Sequence, residues 1–332
     1  MRRILGFFLV VLLFCASPFG GVKAQDPQFT QFFANPLYLS PSYSGANQGH
    51  RFVMSYRDQW SVVPNMFRTL SVSYDINVPS LRSGFGVFVL GDLAGDGLLG
   101  TIRGGVTYSF SVPMGPKWNF RPGIGVYFQQ RSLNYSKLVW GDQLSGGNET
   151  NPTSVAHPGK NNDYDIDASS SVLFHDANGW IGATWDHMLK PKDSFFGQDY
   201  RTPWKWTIYG GYRFVLQSSY RRGVDQSITV ATNFRLQGRF SQAEIGGYWF
   251  KYPLLLGAWY RGIPLVKDYF GSDAVSMMAG LRFAKIQVAY SYDMTVSKLG
   301  PASGGSHEIS FTFETPRKKQ RRRYKALTCP PF

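Results

Sequence analysis

Cysteine is nearly absent from this chain: Cys15 and Cys329 are the two it has in 332 residues. There is no CxxC pair, so neither a disulfide framework nor a thiolate metal site is encoded. Histidine is also scarce. Five histidines lie scattered along the chain and never fall at zinc-ligand spacing, so no cofactor is expected. Acidic residues are few as well, 21 against 35 basic ones. The excess sits at the chain ends: Arg2, Arg3 and Lys23 at the start, and Arg317, Lys318, Lys319, Arg321, Arg322, Arg323 and Lys325 near the finish. A nucleic-acid-binding protein would spread its bases over a folded face, so nucleic acid is not expected as a partner.

Long apolar runs are missing too, with one exception. Ile4 to Phe14 follows Arg2-Arg3 and precedes Val22-Lys23-Ala24. That is the layout of a secretory signal peptide, expected over residues 1–24 with cleavage before Gln25. The run is too short for a membrane anchor, and Pro18, Gly20 and Gly21 end it. Phe14 stands where a small residue would precede a lipidated Cys15, which argues against a lipoprotein. Beyond Gln25 no stretch approaches the roughly 18 apolar residues of a membrane helix. An exported chain of this kind is soluble or a barrel.

What the chain does have is aromatic residues, 16% of the total, many glycines, and short alternating runs. The hairpin from Lys285 to Phe313 shows the pattern best. Ile286, Val288, Tyr290 and Tyr292 alternate with Lys285, Gln287, Ser291 and Asp293, and Ile309, Phe311 and Phe313 alternate with Glu308, Ser310 and Thr312. Period two places one set on each face of a strand. In an outer-membrane barrel the greasy face meets lipid and the charged face lines the lumen. The same alternation supports strands over about 50–60, 66–77, 84–92, 98–111, 117–131, 164–175, 179–188, 204–217, 225–237, 239–250, 253–261, 273–284, 285–293 and 306–314. The fold class is therefore all-β: a transmembrane antiparallel barrel of about fourteen strands over residues 50–314. Segments 25–49 and 315–332 flank it.

Connections alternate in length. Turns at 78–83, 112–116, 176–178 and 251–252 are short, whereas 132–163, 189–203, 262–272 and 294–305 are long. Short periplasmic turns and long outer loops are the expected asymmetry. It puts both termini in the periplasm. The lumen should carry Arg103, Arg121, Lys205, Arg213, Arg235, Lys285, Asp75, Asp293 and Glu308. Trp118, Trp204, Trp206, Trp249, Trp259, Tyr248 and Tyr252 read as interfacial girdles. His175-Asp176 and Asp186-His187 read as solvated strand ends.

Residues 25–49 contain Pro27, Pro36 and Pro41, too many prolines for a long strand. Asp26-Pro27 suits a helix start, so a short helix is expected over Gln28–Phe33, stopped by Pro36. Phe29, Phe32, Phe33, Leu37, Tyr38 and Tyr43 are too apolar for a free tail. They should pack in the barrel lumen as a plug, at its periplasmic mouth, or on a partner.

No catalytic set stands out. Ser306-His307-Glu308 has the residue types of a hydrolase, but neighbouring strand residues face opposite ways, so His307 cannot meet the other two. A lipid-modifying barrel enzyme is the minor alternative, and a passive porin or uptake channel the main one.

Three stretches carry a family resemblance. Gln25-Asp26-Pro27-Gln28-Phe29 through Asn35-Pro36 and on to Gly45, then Arg57-Asp58-Gln59-Trp60, and finally Tyr292-Asp293 with Ser306-His307-Glu308, are together similar to the PorP/SprF outer-membrane proteins of the type IX secretion system. The ending Cys329-Pro330-Pro331-Phe332 also resembles the Cys-Pro-x-Phe finish of many members. Ser42 and Ser44 depart from the alanines common there. The resemblance implies a non-enzymatic fourteen-stranded barrel of the secretion and gliding machinery. Such a scaffold or adaptor has three partners: outer-membrane lipid, periplasmic machine components and a secreted surface-protein client. In the tail, Arg321, Arg322 and Arg323 with Leu327, Cys329 and Phe332 form a charged arm with an apolar hook, the pattern expected of a partner-docking site.

Overall fold

The structure is a computed structural model that describes residues 26–47, 49–62, 67–95, 99–139, 143–145, 148–149, 161–195, 200–219, 223–238, 240–262, 274–296, 304–316 and 329. Fourteen antiparallel strands close into one barrel: β1 Gly49–Gln59, β2 Phe67–Val78, β3 Ser83–Ala94, β4 Leu99–Phe110, β5 Trp118–Ser132, β6 Asn162–His175, β7 Gly179–Asp186, β8 Lys205–Ser219, β9 Gly223–Gln237, β10 Phe240–Lys251, β11 Leu254–Arg261, β12 Ala274–Arg282, β13 Ile286–Thr295 and β14 Ser306–Pro316. Each strand pairs with its sequence neighbours, and β1 pairs with β14 from Gly49↔Pro316 to Gln59↔Ser306. Closure leaves no open edge, the condition for standing in lipid.

Parity along each strand decides the faces. On β14, Glu308 is 1% exposed and Phe311 is 36% exposed. On β1, Arg51, Val53, Ser55 and Arg57 are buried, while Met54 and Tyr56 face out. Phe311 lies midway along its strand. Phe311→Lys is therefore expected to impair assembly, because a cation on the lipid face costs about 2–4 kcal/mol at the bilayer midplane. Glu308→Lys should insert but lose heat resistance on gels. Normal assembly of Phe311→Lys together with failure of Glu308→Phe would mean the faces are reversed.

Several sequence expectations need correction. Lys285 is exposed in the turn before β13, not in the lumen. Trp259 and Tyr248 are not girdle residues. Both are buried inside, where Phe33 packs against each with ring centroids 5.5 Å apart. They share strand parity with the inward Arg261 and Glu244, and that signal was present in the sequence. Trp118, Trp204 and Trp206 do face outward.

The N-terminal segment fills the lumen. It forms no helix over Gln28–Phe33. Instead a 3-10 turn spans Phe32–Ala34, a single helical turn, α1, spans Pro36–Leu39, and another 3-10 turn spans Pro41–Tyr43. Pro36 starts the helical turn rather than stopping one, because a first-turn proline lacks an N–H that would have no partner there. Phe29, Phe33, Leu37 and Tyr43 are at most 2% exposed. The wall makes room for the segment with glycine. A Cβ on Gly84 would sit 1.8 Å from the Ser44 carbonyl oxygen, and one on Gly123 would sit 2.4 Å from the Ser42 nitrogen.

Candidate functional site: the latched lumen

Residues 26–47 run through the barrel as a plug, gripped at three levels. Nearest the short-turn end, Arg51 and Asp75 pair at 2.8 Å. Gly45 N–H donates to the same Asp75 carboxylate at 2.8 Å, and Arg51 donates to the Tyr43 carbonyl at 3.0 Å. Arg121 donates to the carbonyls of Ser42 and Ser44. Ser42 Oγ lies 2.7 Å from Ser171 Oγ, and Ser44 Oγ donates to Thr107 at 2.6 Å. The two serines that depart from the family pattern thus each bond the wall.

The middle level is an ion-pair ladder. Glu308, Arg57, Asp293, Arg261, Glu244 and Arg235 follow one another in contact, at 3.4, 2.9, 3.2, 2.8 and 2.8 Å. The ladder stitches the wall from β9 round to β1, across the closing seam. It also holds the plug by its backbone. Thr30 N–H and Gln31 N–H donate to the two oxygens of Glu308 at 2.6 and 3.1 Å. Thr30 Oγ1 donates to Asp293 at 2.7 Å and meets an Arg57 guanidinium nitrogen. These contacts explain why no helix forms there: backbone donors that a helix would have used are already satisfied.

The third level is the plug tip. Asp26 meets Lys205 at 2.6 Å and His187 at 2.9 Å. His187 bonds Asp167 with its other nitrogen at 2.8 Å, and Asp167 pairs with Arg103 at 3.0 Å. The Asp26 backbone N–H donates to Gln237 at 3.1 Å. Burial by itself would raise the Asp26 carboxyl, but His187 and Lys205 hold it well below the usual range. Burial opposes a charge on His187, yet Asp26 and the Asp167 hydrogen bond raise it above an ordinary histidine.

Asp186 and Lys205 stand where β7 and β8 meet the long 187–204 connection, and Gln237, paired with Lys205 in register, ends β9 on the same side of the barrel. The plug tip therefore lies at the long-loop end of the barrel, and residue 49 begins β1 at the short-turn end. From Asp26 onward the chain crosses the lumen before its first strand. The reading of His175, Asp186 and His187 as solvated ends is corrected, since all three are buried. Sequence alone gave no sign that a plug tip would cover Asp186 and His187. Arg261, Glu244 and Asp167 were missed, although their inward parity could have flagged them.

The motif residues converge. Arg57 lies opposite Glu308, Gln59 opposite Ser306, and Ser306 opposite Asp293 in the register of the seam. Trp60 takes φ 61° and its N–H donates to Gly305 at 2.8 Å. Pro27 accepts from Tyr38 at 2.5 Å, Phe29 packs edge-on to Tyr38, and Asn35 precedes α1. Tyr292 and His307 face outward together, ring centroids 5.0 Å apart, with His307 also bonded to Tyr290 at 2.7 Å. His307 thus points away from lumen-facing Ser306 and Glu308. Gln25 lies outside the described residues.

Of the tail, Arg321, Arg322, Arg323, Leu327 and Phe332 also lie outside the described residues. Cys329 is buried, and its N–H donates to the Ala46 carbonyl at 3.3 Å. Burial pushes its thiol up to about 12.

Comparison of the structure with solved ones finds barrels. The Pseudomonas putida toluene transporter TodX is 12% identical, with a TM-score of 0.49, covering 84% of this chain and 93% of that one. The Acinetobacter baumannii outer membrane protein Omp33 is 7% identical, with a TM-score of 0.46, covering 82% of this chain and all of that one. No curated protein matches by sequence. The profile described as "Type IX secretion system membrane protein PorP/SprF" matches residues 21–313. The plugged, lipid-facing barrel and the three motif stretches gathered at its seam thus stand in a chain that belongs to the PorP/SprF family of type IX secretion membrane proteins.

Proposed function

We propose that this outer-membrane barrel serves type IX secretion as a non-enzymatic scaffold or adaptor. On this reading its outer surface meets an exported client, and its periplasmic side, with the basic tail, meets the machine. The observation that carries the reading is the latched plug. A wall whose charges are spent on one another and on residues 26–47 is built to hold its lumen shut rather than to pass solutes. That weighs against the passive porin or uptake channel.

The tail gives the test. Cys329 pinned beside Ala46 fixes one point of the segment after β14 against the plug. The basic residues Arg317 to Lys325 fall between that point and the barrel wall in sequence. They suit an acidic periplasmic partner, because charge speeds encounter. Removal of residues 317–332 is expected to leave a folded, surface-assembled barrel and to abolish surface display of the client. Arg321, Arg322 and Arg323 changed together to Glu should do most of the same harm. Client display is compared with heat-modifiability of the barrel on gels. Full display by the truncated protein would remove the tail from the mechanism.

A further inference from the structure

The plug tip completes a chain of contacts in which the sign of charge alternates. In order it runs Arg103, Asp167, His187, Asp26, Lys205, Asp186. Asp186 meets Lys205 at 3.3 Å, and the other contacts measure 2.6 to 3.0 Å. The Asp26 side chain is 18% exposed and the other five at most 8%, so their charges have to balance one another. The chain holds three carboxylates and two permanent cations, Arg103 and Lys205. It is neutral only when His187 carries a proton on each nitrogen. The hydrogen bonds require the same. Ionised carboxylates only accept, and His187 offers Nδ1 to Asp167 and Nε2 to Asp26. A neutral ring would donate to one of them and turn a lone pair on the other.

Other groups around the ring do not supply that cation. Arg131 is paired with Asp193 and Arg235 with Glu244, while Asp92, bonded to Thr69, adds an acid across the same cavity. Tyr38 places its ring centroid 5.1 Å from Lys205 Nζ. Without Asp26 the balance changes. Arg103 with Asp167 and Lys205 with Asp186 remain as two neutral pairs, and a charged His187 has no acid of its own. The backbone is shaped to the seated arrangement: His187 takes φ 58°, a left-handed conformation uncommon outside glycine. That turn brings its ring inside directly after the inward Asp186, where a continuing strand would point it out. We infer that the plug tip is latched by one proton: seating Asp26 takes up a proton at His187, and loss of that proton frees the tip. The inference rests on the latched lumen and not on the adaptor role. A cavity of about 70 Å³ lined by His187, Asp26 and Arg131 has room for water, so the ring can exchange protons with the medium at the long-loop end. Burial lowers His187, but Asp26 and the Asp167 hydrogen bond outweigh it and raise the seated ring above 6.5. The latch is therefore complete below about pH 6.5 and is lost as pH rises through the raised value.

The test is hydrogen exchange of the full chain in detergent micelles, read by mass spectrometry and corrected for the intrinsic effect of pH. It measures opening of the tip while the barrel stays folded. Between about pH 6.5 and 8.5, protection of residues 26–31 is expected to fall by up to about tenfold per pH unit, the limit for one proton. Residues 40–45 should stay level and serve as the internal control, because Arg51, Asp75 and Arg121, which grip them, do not titrate in that range. His187→Asn, a residue that accepts the left-handed backbone, should level the curve for 26–31. Asp26→Asn, which leaves the wall unchanged, should level it as well.

A level curve in the wild type would overturn the proposal. So would a slope that persists in His187→Asn. The proton would then belong to another group, such as the α-amine that cleavage before Gln25 would create, which titrates at about 8. A slope kept by Asp26→Asn would also overturn it, since proton uptake would not depend on the carboxylate of the tip. Free exchange of residues 26–31 at every pH would remove the latch itself, and the proposal with it. Loss of client display in the tail variants bears on the adaptor reading alone.

Discussion

Arg57→Ala is expected to be among the most damaging single substitutions in the lumen. Its guanidinium stands between Asp293 at 2.9 Å and Glu308 at 3.4 Å, and all three side chains are nearly solvent-free. Removing one partner of a buried pair costs about 3–5 kcal/mol, because the remaining charge is left without compensation. Here two carboxylates lose a shared cation, although Arg261 still reaches Asp293. The plug loses a contact at Thr30 in the same step. The barrel should lose heat resistance on gels, and the plug should become accessible to protease. Arg57→Lys keeps the charge but not the planar fork that reaches both acids, so it should fall between. Wild-type heat resistance in Arg57→Ala would mean that the ladder is not what holds the seam and plug together.

Deleting residues 26–46 should convert a nearly silent barrel into an ion-conducting one. The plug is packed through the lumen, with Phe33 against Trp259 and Tyr248, and Tyr43 against Tyr209 at 5.5 Å. Without it, the balanced polar lining would be left around water. The measurement is single-channel conductance in planar bilayers. A deletion that fails to fold is covered by a second variant. Ser42→Cys with Ser171→Cys, in a Cys329→Ser background, joins plug to wall where the two hydroxyls are 2.7 Å apart. Combined with Arg57→Ala, this protein should be silent when oxidised and should open when reduced. Equal conductance in both states, or an intact chain that conducts as freely as the deletion, would restore the porin reading.

The barrel was legible in the sequence because lipid and lumen impose period two, and period two survives in the residue pattern. Val53, Ser55 and Arg57 against Met54 and Tyr56 announce their faces without any structure. The plug was half legible. Its prolines excluded a strand and its aromatics demanded a partner surface. Its path was hidden, because that path is set by side chains far along the chain, Glu308 on Thr30 at a separation of 278 residues and Lys205 on Asp26 at 179. The false helix over Gln28–Phe33 has the same origin: Asp26-Pro27 satisfied local rules for a helix start, and tertiary partners took the backbone donors instead. His187 looked like a rim residue for want of its neighbour Asp26.

The direction of the plug sets what its release would do. It enters β1 at the short-turn mouth and is covalently continuous there, so it can leave by that side without detaching. A withdrawn plug would hang below the membrane as a tether. The segment from Asp26 to Asn47, drawn out at about 3.3–3.6 Å per residue, reaches roughly 70–80 Å. A barrel component could in this way touch a body deep in the periplasm while its strands stay fixed in the bilayer.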